Sequence, residues 1–285
     1  MFKAYTSLTK PGMIRGNAVI AAAGFLLASK GHINMWLLLE MLVGLSLVIA
    51  SGCVFNNYID RSIDKDMART KKRTLVQGKV TNRNALIFAT ILAVLGIIIL
   101  IKFTNTVAVT ATLIGLVVYV AIYSPMKHRS IHAALVGSIA GAVPPVVGYT
   151  AVSHHLDLAT GILFLILVLW QMPHFYSIAL YRFNDYSAAS VPVFPIKKGI
   201  FITKIHILMY ISVFIGATLS LTLFGYTGYI YAGILLLVGS AWFIFALKGF
   251  AQKVDTTKWA RTMFFYSLLV IMVFSITISL NSFLI

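Results

Sequence analysis

Charge is the scarcest commodity in this sequence. Only 11% of its 285 residues are Asp, Glu, Lys or Arg, against about 25% in a typical soluble domain. With 60% hydrophobic residues and a mean hydropathy of +0.93, the chain cannot cover itself in water, and lipid is its expected solvent. Cysteine is down to Cys53 alone, which excludes an intrachain disulfide. Its place in an apolar run reads as packing. Low-complexity linkers and soluble insertions are missing as well, so residues 1–285 are read as a single domain. Acids number seven: Glu40, Asp60, Asp64, Asp66, Asp157, Asp185 and Asp255.

What fills the sequence is long apolar runs. A spanning helix needs about 20 mostly apolar residues, and nine segments qualify: 14–29, 35–55, 84–101, 105–123, 133–152, 158–180, 203–223, 227–247 and 262–283. The expected architecture is therefore all-α, a polytopic membrane protein. The first run follows a basic stretch, Met1 to Arg15, with no clear small-residue cleavage site, so it reads as a retained span. The net charge of +16 would suggest nucleic acid in a soluble protein. Here the basic residues occupy short connections between runs, where membrane topology explains them. With the N-terminus inside, 21 of the 23 Lys and Arg fall on the inner side, leaving only Lys30 and Lys102 outside. The expectation is a multi-pass protein of the bacterial inner membrane, N-terminus cytoplasmic and C-terminus periplasmic.

On that topology the acids point to one face. After the second run comes Asn56-Asn57-Tyr58-Ile59-Asp60-Arg61-Ser62-Ile63-Asp64-Lys65-Asp66. If the helix continues, Asn56, Asp60 and Asp64 share one face, four residues apart. Like charges that close destabilise a bare helix, but an oxygen-rich stripe suits Mg²⁺, which takes one or two carboxylates plus water and phosphate oxygens. Arg61, Lys65, Arg69, Lys71, Lys72 and Arg73 follow closely. Carboxylates beside cations are what a departing diphosphate requires. After the sixth run, Gln171, His174, Ser177, Tyr181, Arg182 and Asp185 form a second polar stretch. Pro173 is expected to kink the helix there. Taken alone, the basic run is ordinary inside-positive charge, and Arg182 with Asp185 is a surface pair; their interest lies in facing the first stretch.

Asn56-Asn57-x-x-Asp60-x-x-x-Asp64 resembles the first Asp-rich motif of the UbiA-type intramembrane prenyltransferases. The second motif departs from their pattern, keeping Asp185 but placing Tyr181 and Ser177 at the earlier positions, and Asn57 stands where an Asp is usual. With Thr9-Lys10-Pro11-Gly12, Ser51 to Arg61, Pro144 to Tyr149, Trp170 to His174 and Pro192 to Pro195, these departures are similar to one branch, the heme-farnesylating enzymes (protoheme IX farnesyltransferases, or heme O synthases). The resemblance implies nine helices around a central cavity, farnesyl diphosphate and heme B as substrates, and heme O supplied to a terminal oxidase. It assigns Asn56, Asp60, Asp64 and Asp185 to Mg²⁺, with Arg61 and Lys65 beside the catalytic acids. Asn57, Arg69, Lys72, Tyr181 and Arg182 are candidates for the diphosphate, and His174, Gln171, Lys127 and Arg129 for heme. His128 is a further candidate for the propionates. No C-x-x-C-H motif is present, in keeping with heme as a passing substrate.

Two rival readings fit the same sequence features. A related enzyme with another aromatic or tetrapyrrole acceptor would carry the same first motif. A secondary transporter is also polytopic, but its key charges gather near the bilayer midplane, whereas these cluster at one face.

Overall fold

A computed structural model describes residues 2–67 and 70–281. Nine helices in it are long and apolar enough to cross a membrane: α1 (Pro11–Ser29), α2 (Met35–Asp60), α3 (Asn82–Phe103), α4 (Thr106–Met126), α5 (Ala133–Ser153), α6 (Leu158–Tyr181), α7 (Ile200–Leu223), α8 (Tyr229–Phe250) and α9 (Thr256–Asn281). The described residues contain no strand. Polar caps start several of these helices. Asn34, Thr81 and Asn105 accept from backbone N–H groups of the first turns of α2, α3 and α4, and Asp157 with Thr160 forms a capping box at α6.

Each helix packs on its successor, and α9 returns to α1, closing a ring. Lipid offers no hydrophobic drive for helix association, so close backbone approach has to do the work. The α1–α5 crossing illustrates it. A Cβ at Gly24 would lie 2.2 Å from the Pro145 carbonyl oxygen, and one at Gly148 would lie 1.9 Å from that of Ala21. In α3 the buried positions Ala85, Ala89 and Gly96 are small, and Gly96 meets Gly44 of α2. Its opposite side exposes Ile87, Ile91, Val94 and Ile98, a surface for acyl chains.

Two helices depart from regular geometry. Val118–Tyr123 of α4 forms a π-turn, and α5 is interrupted at Ala142 between Ala133–Gly141 and Val143–Ser153. Pro144 and Pro145, which lack N–H groups, account for the second break. By contrast, α6 runs on through Pro173.

Candidate active site

The helix of the first motif is shorter than its spacing suggests. It stops at Asp60, and Asp64 sits on a separate 3₁₀ turn, Ile63–Lys65. The three-residue stripe on one helical face is therefore not what joins these groups. Loop residues do so instead. Arg73 lies 2.5 Å from Asp64 and 3.9 Å from Asp60. Asp60, fully buried, also pairs with Lys127 at the end of α4 and lies 2.9 Å from His128 Nε2. Asn56 accepts from Lys10 Nζ at 2.6 Å and donates to Ser124 Oγ at 3.0 Å. Ser124 in turn donates to the Tyr119 carbonyl within the π-turn, so this irregularity sits next to the acids, as such turns commonly do at working sites.

Lys10 reaches Asn56 from a left-handed backbone (φ 52°) just before α1. Burial holds its ammonium down to about 8, with Arg73 and Lys127 among the cations that add to the depression. Four basic groups, Lys10, Arg73, Lys127 and His128, thus surround two carboxylates and an amide. Among the described residues no three or more His, Cys, Asp and Glu side chains gather as a metal cluster. The acidic donor set is Asp60 and Asp64, with the Asn56 amide one turn away.

Several expected residues lie elsewhere. Arg61 folds back on its own helix, stacking on Tyr58 at 4.0 Å and donating to the Tyr58 carbonyl. Lys65 and Lys72 are exposed, and Arg69 falls outside the described residues. The member of the basic run that meets the acids is Arg73. Asn57 donates to the Leu8 carbonyl at 2.8 Å, tying down the short helix Phe2–Leu8. Lys127 and His128 are bound to Asp60, while Arg129 is exposed. In the second stretch, α6 ends at Tyr181 and Asp185 belongs to another short helix, Phe183–Ala188. Ser177, Tyr181 and Asp185 therefore do not share one continuous helix. Ser177 donates to the Pro173 carbonyl. Asp185 pairs with Arg182 at 3.4 Å, and Arg182 stacks over Tyr181 at 5.0 Å.

Beside the polar cluster lies a cavity of about 510 Å³, within the ring and lined by α1, α2, α4, α5, α6 and α9, a size ordinary for small-molecule sites. Gly52 and Cys53 line it one turn before Asn56, and Met13 lines it just after Lys10. Tyr119 and Tyr123, stacked with centroids 5.4 Å apart, flank the junction with the polar cluster. Gln171 and His174 both line the cavity. Gln171 donates to the Ser138 and Leu167 carbonyls and fills the space a Cβ at Gly141 would need. His174 is stacked on Trp170 at 5.1 Å and lies 4.9 Å from Phe264.

The sequence reading names Arg73 only as one member of the basic run, and it does not single out Lys10 or Ser124 as site residues. The signal for Lys10 was its place beside Pro11-Gly12; for Ser124 it was Pro125, which cannot extend a regular helix.

Comparison with known proteins gives the chain's relatives and its family. The chain is 48% identical over 280 residues to "Protoheme IX farnesyltransferase 2" of Pseudomonas fluorescens (strain Pf0-1), covering 98% of this chain and 95% of that one. It is 49% identical to "Protoheme IX farnesyltransferase 1" of Shewanella sp. (strain W3-18-1), covering 99% and 90%. Among solved structures, a digeranylgeranylglyceryl phosphate synthase superposes with a TM-score of 0.82 at 17% identity, over 100% of this chain and 99% of that one. A UbiA homolog from Archaeoglobus fulgidus bound to GPP and Mg²⁺ gives 0.69 at 14% identity, over 97% and 99%. These structural likenesses concern the fold. Residues 17–269 match the UbiA prenyltransferase family, and the chain belongs to it.

Proposed function

We propose that this membrane enzyme transfers the farnesyl group of farnesyl diphosphate to a vinyl group of heme B, with addition of water, giving heme O and diphosphate. The observation that carries this reading is a buried acid–base cluster opening on an apolar, aromatic-lined cavity. It stands in a chain 48–49% identical over nearly its whole length to the two heme-farnesylating relatives. The uninterrupted family match over 17–269 is in keeping with one prenyltransferase domain.

The residues divide the work by chemistry. Asp60 and Asp64, with Asn56, make a hard-oxygen set of the kind Mg²⁺ takes alongside water and phosphate oxygens, and they would hold it. Bound there, Mg²⁺ supplies neutralising charge to the diphosphate as it leaves. Lys10, Arg73 and Lys127 add fixed positive charge at the same point, where it acts with little reorganisation. The C1–O bond of the donor breaks and its electron pair leaves with the diphosphate. The apolar cavity keeps water from the allylic cation, and the π pair of the vinyl group forms the new C–C bond. Water then adds to the resulting cation next to the porphyrin ring and loses a proton, so one water is consumed per turnover. Arg182, held in a pair with Asp185, is the candidate to meet the diphosphate from the α6 side.

The excess of Lys and Arg on one side of the nine spans supports placing this cluster at the cytoplasmic face of the inner membrane, N-terminus inside. The product then serves assembly of a terminal oxidase. A competition experiment tests the acceptor. Purified protein receives farnesyl diphosphate, Mg²⁺, heme B and an aromatic-acid quinone precursor in equal amounts. Farnesyl plus water should appear on heme alone; a prenylated aromatic acid with unchanged heme would assign a different acceptor.

A further inference from the structure

His174 Nδ1 and Ser267 Oγ, from α6 and α9, stand in hydrogen-bond contact. Ser267 Oγ lies 2.6 Å from the Phe264 carbonyl oxygen and 2.8 Å from His174 Nδ1. The shorter contact is to a carbonyl, which only accepts, and it assigns the hydroxyl proton to Phe264. With its proton given to Phe264, the serine oxygen offers His174 a lone pair, and Nδ1 carries the ring proton. In the neutral imidazole this leaves Nε2 as the unprotonated nitrogen. It makes no hydrogen bond to the described residues, and His174 lines the cavity.

The surroundings hold the ring in that pose. Trp170, one turn earlier on α6, donates its Nε1–H to the Ser267 carbonyl at 2.8 Å. One residue of α9 is thus gripped by two residues of α6 on the same face. The imidazole is stacked on Trp170 and packed against Phe264. Such an outer hydrogen bond fixes the tautomer and raises ligand basicity in metal-binding histidines, and its loss typically costs about 10–100-fold in metal affinity or activity.

We propose that Ser267 is a positioning residue that sets the tautomer of His174, so that Nε2 binds the iron of the incoming tetrapyrrole and anchors the acceptor in the cavity. This rests on heme as acceptor. Coordination leaves the farnesyl chemistry to the polar cluster at the cavity's end and holds the vinyl edge still while the donor ionises.

The test uses full-length protein, heme B and no farnesyl diphosphate. Resonance Raman spectra of the ferrous complex report the iron–histidine stretch, which responds to hydrogen bonding at Nδ1. Wild type should show this band and His174→Ala should lack it. Ser267→Ala should shift it and weaken heme binding by about 10–100-fold, and Ser267→Thr, which keeps the hydroxyl, should restore both. The proposal is overturned if wild-type heme shows no histidine band, or if Ser267→Ala leaves band and affinity unchanged. In either case, continued formation of the farnesyl–heme adduct by wild type would leave the enzyme's assignment standing. Failure of wild type to prenylate heme at all would remove the assignment itself.

Discussion

Arg73 reaches Asp64 at 2.5 Å across a nine-residue separation, and the same guanidinium stands 3.9 Å from Asp60. One side chain from the basic loop therefore joins an acid in the last turn of α2 to an acid beyond it. Lys72, its neighbour in sequence, is exposed. Arg73→Ala is expected to lower kcat/KM by ~10²-fold or more, as removal of a preorganised charge stabiliser does. Lys72→Ala should cost less than about fivefold, in the range of a screened surface charge. Steady-state kinetics on both variants check this; equal losses would contradict the assignment.

Asp60 is fully buried among Lys127, His128 and Arg73. Asp60→Asn should lose ~10²-fold or more in turnover. Because breaking a buried pair costs about 3–5 kcal/mol, thermal unfolding must accompany the assay. A variant that melts like wild type but is inactive supports a direct role, whereas an active one would remove Asp60 from the site.

Backbone contact between α1 and α5 leaves no room at Gly148, where a Cβ would lie 1.9 Å from the Ala21 carbonyl oxygen. Gly148→Ala should destabilise the protein by about 1–3 kcal/mol or more through overpacking. Gly233→Ala in α8, where a Cβ meets nothing within 4 Å, should leave the melting temperature in detergent unchanged or raised.

At the far end of the bundle, burial would raise the Asp157 pKa. Hydrogen bonds from the Thr160 backbone, the Tyr149 hydroxyl and the Thr160 hydroxyl outweigh it and hold the carboxyl below its usual range. The depressed value means the stabilisation is complete above the unfolded pKa of about 3.9. It is lost as pH falls through the folded value. Asp157→Asn keeps a competent N-cap but should flatten this part of the melting-temperature profile on acidification. An unchanged acid limb would show that Asp157 carries none of it.

Much of the architecture was legible because lipid imposes it. All nine runs became helices, since a backbone crossing a bilayer must satisfy itself internally. Asp60 and Asp64 stood out because so few acids compete with them. The route by which they meet was not legible. Helix spacing suggested a stripe from Asn56 to Asp64, but α2 ends at Asp60 and the join is made by Arg73, from a loop whose path no periodicity encodes. The partners Lys127 and His128 arrive from the end of α4, and Lys10 from a left-handed residue before α1. Such approaches depend on tertiary packing. The interruption at Ala142 falls inside the single apolar run 133–152, which gives no sign of it beyond Pro144-Pro145, whereas Pro173, where a kink is expected, sits inside a helix that continues past it.

Coupling of ionisation to heme farnesylation is tested by measuring heme adduct and released diphosphate together in one reaction of purified wild-type protein, with and without EDTA. Farnesyl–heme and diphosphate should form in equal amounts, both abolished by EDTA and both restored by Mg²⁺. Diphosphate release without any heme product, or full adduct formation in EDTA, would contradict it.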